Sequence, residues 1–438
     1  MNTDSRLLFT GINSGDDKSK KVIGAEGVRF QMSDGRWLID GSNTGGALGH
    51  KHPAIVEAIR KAAEAPVVNE GWLWVDREEA ARELVETAFG DDLDWVGAVR
   101  FFLSGSEAND LALSLAQSIT GRQTLATRER AYHGMTGLSR DMTVQPQWHG
   151  GLSSLTGGFR PVPPSAHVVQ VPGPGRYRFG ETSSTPITEL LSGVPEALSE
   201  TAAVIVDYTQ GGVYYDSDYQ DELARHAKAA GALWIADEVV TGLGRNGGWF
   251  AYQNGKTKPD IVTLGKHVGG GGAPAGAVVV SRELLERMDG WTWQTYSTFR
   301  GHPLTIAAVR ATIATMASTD LVNRAYAMDD LISARMAVIA AKHPSVLRIG
   351  GRGMHWTVEV QGPDWREWRG DSAVPPLATR IAARAADAGA LIGTSGEQTS
   401  VFISPALVMP EGDLHSLLDA LDHGLTLADE ELDRNSVR

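Results

Sequence analysis

Between residues 95 and 281 the chain alternates short apolar runs with helical patterns, and this alternation constrains the fold more than any other feature. The apolar runs are Val99–Leu103, Gln123–Thr127, Val168–Val171, Ala203–Tyr208, Leu233–Ala236, Ile261–Leu264 and Gly276–Val280. Several stretches between them, such as Asp218–Ala230, carry apolar residues at helical spacing. Continuous apolar runs suit strands buried on both faces, and strands joined through helices lie parallel. The expected class is α/β, with a mostly parallel mixed sheet flanked by helices. Ligands of such sheets sit beyond the carboxyl ends of the strands.

The flanking segments read differently. Gly24 to Asp40 suggests two short strands around a turn at Asp34-Gly35, and Pro53 to Ala65 a helix with Pro53 in its first turn. A further helix is expected from Asp76 to Phe89, and two long ones over about 303–317 and 320–342. Residues 141–187 are rich in Pro and Gly and read as an irregular excursion. Residues 345–438 read as strand, loop, helix, strand and helix, ending in the charged tail DEELDRNSVR. At 438 residues the chain exceeds what one core usually holds. The expected division is an N-terminal arm and part of a small domain at 1–65, a large domain at 66–320, and the rest of the small α+β domain at 321–438.

Composition narrows the function. The net charge of −13 disfavours nucleic acid and anionic membranes as partners. With no cysteine there can be no disulfide, thiolate metal site or cysteine nucleophile. The first residues carry no apolar signal core, and no run is long enough to span a bilayer, so a cytoplasmic location is expected.

Residues 259–272, PDIVTLGKHVGGGG, carry the most telling chemistry. Lys266 follows a buried apolar run and precedes the glycines Gly269 to Gly272. Poor hydration at the mouth of a strand lowers a lysine's pKa and makes its amine a usable nucleophile. The glycines let backbone approach a bulky group. A Schiff base with an aldehyde cofactor is the functional reading; a surface lysine reaching back to water is the bland one.

Three other pieces stand at strand ends. In LSGSEAND, residues 103–110, a strand gives way to a helix, with Ser106 expected as its N-cap. Bare N–H groups at that start suit a phosphate, although most such caps hold nothing. In RAYHG, residues 130–134, Tyr132 could stack on a flat ring. In WIADEVVTGLGRNG, Asp237 and Glu238 close a buried run, where carboxylates need partners. A pyridinium nitrogen suits Asp237, because a protonated ring draws electrons from a carbanion. Metal ligation by the pair is the alternative, but no further acid sits at a helpful spacing. His50 and His52 likewise lack acidic company, so no metal is expected. Ser106, Asp237 and Lys266 thus offer a phosphate anchor, a ring-nitrogen partner and an amine, in that order, for pyridoxal 5'-phosphate.

Together SGSEAND, AYHG, ADEVVTGLGRNG, PDIVTLGKHVGGG and STFRGHPL resemble the ordered motifs of the class III aminotransferases, within the fold-type I pyridoxal-phosphate enzymes. The resemblance runs from about Gly24 to Leu425. It implies that Lys266 forms the Schiff base and shuttles a proton, and that Asp237 binds the pyridine nitrogen. It places Val239 and Tyr132 on opposite ring faces, Gly105 and Ser106 on the phosphate, and His133 and Gln210 close by. Thr298 would reach the phosphate of a neighbouring subunit, which implies a homodimer with active sites at its interface. The implied activity is transfer of an amino group from a small-molecule donor to a carbonyl acceptor by ping-pong half-reactions. An aminomutase or racemase of the same fold is the alternative, and a non-catalytic relative that binds the cofactor a further one.

Departures from the family pattern bear on the substrate. Where many members have E-P-x-Q-G-E, residues 207–212 read DYTQGG, with Asp207 and Gly212 in place of the glutamates. Where many place an arginine for the substrate's α-carboxylate, VFISPALV has Phe402. A phenylalanine cannot form the bidentate fork. The main substrate is therefore expected to lack an α-carboxylate there, with Trp72, Trp74 and Phe402 forming an apolar wall. Arg300 could contact a substrate anion or form an interface ion pair, and Arg245 reads as structural.

Overall fold

The computed structural model describes residues 21–64, 71–144, 151–153, 159–209, 217–361 and 375–436. All seven expected strands are present, and they build one sheet. Its order is Val96–Phe102, Gly276–Ser281, Ile261–Leu264, Leu233–Asp237, Thr201–Asp207, Thr124–Arg128, Val168–Val171. Gly276–Ser281 runs antiparallel to both its neighbours, and the other pairs are parallel. Every residue of the three central strands is buried, which is why those runs are mostly apolar and do not alternate.

The two faces of the sheet feed two clusters. On one, helix Gly105–Thr120 packs Ala112, Leu113 and Ala116 against Ile205, Ile235 and Val278. On the other, Val204, Val206, Trp234 and Val262 meet Leu84, Tyr219, Leu223 and Val309 from helices Val75–Ala88, Ser217–Ala229 and Pro303–Ser318. Residues one apart on a strand point to opposite faces, so both faces of Thr201–Asp207 need apolar side chains.

Two smaller sheets draw on the chain ends, one on both and one on the C-terminal end. Val22–Glu26, Arg29–Met32 and Trp37–Asp40 are joined by Ala390–Leu391, which pairs in parallel with Ile39 and Asp40. The N-terminal segment holds three strands, not two. The extra reversal is made at Gly27, whose φ of 56° is cheap for a glycine alone. A five-stranded antiparallel sheet joins Gly393–Thr394, Ser400–Ile403, His355–Val360 and Val346–Arg352 to Phe179–Gly180. That last strand comes from the irregular 141–187 stretch and ties it to the C-terminal region.

The expected charged tail is instead the end of the long helix Glu411–Ser436. Its acids are used: Glu431 pairs with Arg380, Glu430 with Arg384, and Asp429 accepts from Ser345 and faces His343. Of the arm expected at residues 1–21, all but Lys21 lies outside the described residues. No helix among them is long and apolar enough to cross a membrane.

Candidate active site

Sheet register assembles the site. Asp207 lies opposite Asp237, and Asp237 opposite Thr263, three residues before Lys266. Two acids and a lysine thus meet at the carboxyl ends of three neighbouring strands. Beyond them is a cavity of about 560 Å³, whose lining includes Gly105, Ser106, Tyr132, Asp237, Val239 and Lys266.

Asp237 is buried and heavily solvated by the protein. Its Oδ2 accepts from Asn109 Nδ2 at 2.7 Å and faces His133 Nδ1 at 2.7 Å; its Oδ1 accepts from the Val239 backbone at 3.0 Å. His133 is fixed from behind, with Nε2 2.9 Å from Thr127 Oγ1 and its backbone N–H donating to Thr143 Oγ1. Asn109 also donates to the His133 carbonyl at 2.7 Å. Sequence reasoning missed Asn109, although a residue four beyond Gly105 shares its helix face.

Lys266 adopts a left-handed backbone, with φ 44°. Desolvation lowers its pKa, against the pull of Asp237 and Asp207, which raise it. The following Gly270 has φ 60°, and a Cβ there would lie 2.2 Å from Thr312 Oγ1 on helix Pro303–Ser318. The glycine run therefore lets this loop close onto that helix.

The helix start differs from expectation by two residues. Ser104, not Ser106, is the N-cap, and its Oγ accepts from Glu107 N at 3.1 Å. Ser106 sits in the first turn and its Oγ accepts from Met135 N at 3.3 Å. The N–H groups of Gly105 and Ser106 belong to the first turn, which has no carbonyl of its own helix to receive them. A Cβ on Gly105 would lie 2.6 Å from both Cγ atoms of Val239.

Around this centre, Asp207 pairs with the fully buried Arg128 at 2.9 Å, and burial pushes its carboxyl pKa up. Burial also raises the Tyr132 phenol, helped by Asp237. Arg245 is buried and donates to the carbonyls of Asn43, Met354 and Pro405. Desolvation pulls it down to about 9. It joins N-terminal and C-terminal segments to the loop after Asp237.

The remaining expected residues lie elsewhere in the chain. Thr298 is exposed, on a segment that also exposes Tyr296 and Phe299. Trp72 and Arg300 line a second cavity of about 520 Å³, with Leu73, Arg77, Trp291 and Trp293. Arg300 is buried there, donates to Thr295 Oγ1 and lies 5.9 Å from the Phe102 ring. Trp74 packs, partly buried, against the main core. Phe402 is on the C-terminal sheet, 5.6 Å from the His355 ring. Within one chain, Trp72, Trp74 and Phe402 do not form a common wall, because they hang on separate layers. Gln210 and Gly212 lie outside the described residues.

Comparison with known proteins agrees with this geometry. Residues 14–425 match the family model described as aminotransferase class-III. The acetylornithine aminotransferase of Mycolicibacterium smegmatis is 30% identical, over 98% of this chain and 100% of that protein. Ethanolamine-phosphate phospho-lyase homolog 1 of Caenorhabditis elegans is 29% identical, over 87% of this chain and 83% of its own. The crystal structure of an S-selective transaminase from Arthrobacter sp. superposes with a TM-score of 0.89 at 29% identity, covering 98% of this chain and 97% of that one.

The fold and site define a fold-type I pyridoxal-phosphate enzyme. The chain belongs to the class III aminotransferases. The cavity fits the cofactor: a desolvated amine and a shielded carboxylate stand at strand ends, and a helix start stands beside them with a glycine where any side chain would strike Val239.

Proposed function

We propose that this aminotransferase takes its amino group from, or gives it to, a compound without an α-carboxylate, such as a simple primary amine or aldehyde. A carboxylate-bearing partner such as pyruvate or alanine serves the other half-reaction. The observation that carries this reading is Phe402, an apolar ring packed beside His355 and against Gly393, where the family pattern has a carboxylate-gripping arginine.

Pyridoxal phosphate, when bound, supplies an electron sink for the carbanion formed next to the amine nitrogen. Lys266 Nζ would tether it, and the same amine would hold the proton at the substrate's reacting carbon. Asp237 holds the proton on the ring nitrogen. Two donors fill Oδ2, one reaches Oδ1, and so Oδ1 has one acceptor position to offer. Gly105 and Ser106 bind the phosphate through first-turn N–H groups. Tyr132 and Val239, which line the cavity, would hold the ring between them.

The same reading includes a homodimer, with Thr298 reaching across to the partner's phosphate. Exposed Trp72, Leu73 and Trp291 at the second cavity, and exposed Tyr296 and Phe299 on the segment that carries Thr298, support an interface there. The same reading divides the chain into a large domain at 66–320, an N-terminal arm and part of the small domain at 1–65, and the rest of the small domain at 321–438, with a cytoplasmic location.

Phe402→Arg tests the substrate reading. The variant should lose activity with primary amines by about tenfold or more and gain it with α-amino acids. A gain with amines contradicts the proposal.

A further inference from the structure

We infer that His50 receives the carboxylate of the carboxylate-bearing partner, with Asp40 holding its ring in place. The inference rests on the two-substrate reading above.

The cavity offers few cations. Three basic side chains stand among the described residues that line it: His50, His133 and Lys266. His133 has both ring nitrogens engaged, one at Asp237 and one at Thr127, and Lys266 is kept for the cofactor. His50 has one ring nitrogen in use. Its Nε2 lies 2.9 Å from Asp40 Oδ2, and its Nδ1 has no hydrogen-bond partner among the described residues. An imidazolium carries an N–H at each nitrogen, so the ring can face Asp40 with one and a carboxylate with the other.

The ring is set before any ligand arrives. The His50 backbone exchanges two hydrogen bonds with Gly27, at 3.0 and 2.7 Å, and the Phe30 ring lies 4.7 Å from the imidazole. Asp40 is buried, and its Oδ1 accepts from Ser42 N at 3.2 Å. No acid stands near His50 by sequence spacing; the end of strand Trp37–Asp40 supplies one. The His50 side chain keeps 22% of its surface exposed, so the ring is held and still open to a ligand.

Placement brings His50 to the side of the cavity where Phe402 stands in for a cation. Segment 41–50 is stitched to the residues that follow Phe402: Ser404 N donates to Gly41 O at 2.6 Å, and Leu407 N donates to Ala47 O at 2.8 Å. Arg245 joins the same two segments through the carbonyls of Asn43 and Pro405. On its other side segment 41–50 meets the loop after Lys266, where a Cβ on Gly271 would lie 3.0 Å from Gly46 Cα. The wall that carries His50 thus runs from the end of the Phe402 strand to the Lys266 loop.

The test measures the two half-reactions of the holoenzyme separately, isopropylamine on one side and pyruvate on the other. His50→Gln keeps a polar side chain and removes the charge. Its kcat/KM should fall about tenfold or more further with pyruvate than with isopropylamine, through KM more than kcat. Binding of propanoate, a non-reacting carboxylate, followed by the cofactor's visible absorbance, should weaken about tenfold in the same variant. A measurement on the wild-type holoenzyme serves if the variant folds poorly: propanoate should slow modification of His50 by diethyl pyrocarbonate, read by peptide mass. Equal losses in both half-reactions, propanoate binding unmoved by the substitution, or modification of His50 unchanged at saturating propanoate would each overturn the inference and leave a pair that only braces the fold. If the wild-type protein fails with isopropylamine itself, the substrate reading fails instead, and propanoate alone decides the role of His50.

Discussion

His133 Nδ1 and Asn109 Nδ2 both lie 2.7 Å from a single oxygen of Asp237, Oδ2. Two donors fix that oxygen in place, and Oδ1, reached by the Val239 N–H alone, keeps an acceptor position for the cavity.

Asp237→Asn keeps the shape and removes the charge. Turnover should fall by at least about a hundredfold in steady-state assays. His133→Ala removes one of the two donors and should cost about tenfold. Activity near wild type in either variant contradicts the role given to Asp237.

Gly105→Ala places a methyl group 2.6 Å from both Cγ atoms of Val239. The helix start must shift, and retention of pyridoxal phosphate on dialysis should weaken. Val239→Ala in the same chain removes the clash and should restore part of the loss. Failure of the double variant to recover would mean that the close approach is not what Gly105 provides.

Lys266 gives a pH signature. Its pKa is lowered by burial, so the neutral amine is present at pH values where an ordinary lysine is still charged. Capture of pyridoxal phosphate by the cofactor-free protein should speed up with pH through a midpoint below 10.5. The same shift costs the cofactor-free fold stability below the lowered pKa, and the cost fades as pH rises toward 10.5. Lys266→Met should therefore raise the Tm more at pH 7 than at pH 10. A capture midpoint at or above the ordinary lysine value contradicts this.

Much of this was readable from sequence because burial leaves a clear mark. The central strands bury both faces, so their apolar runs stand out, and Lys266 and Asp237 stand out as polar residues at the ends of such runs. What was not readable depends on geometry. Ser104 and Ser106 are equally good caps by type, and only the helix's true first turn separates them. The Gly27 reversal is too short to interrupt a pattern. The acids of the last helix look like a tail until their arginine partners, about fifty positions away, are in place. The two tryptophans and Phe402 share a residue class but no layer.

The most direct test is the visible absorbance of the purified, cofactor-loaded protein as single donors are added without an acceptor. Simple primary amines, L-alanine and L-glutamate form the panel. The account predicts that the cofactor's visible band is lost with simple primary amines, and that Lys266→Ala abolishes the loss. Loss with amino acids alone, with the amines inert, would contradict the account, as would a protein that takes up no pyridoxal phosphate.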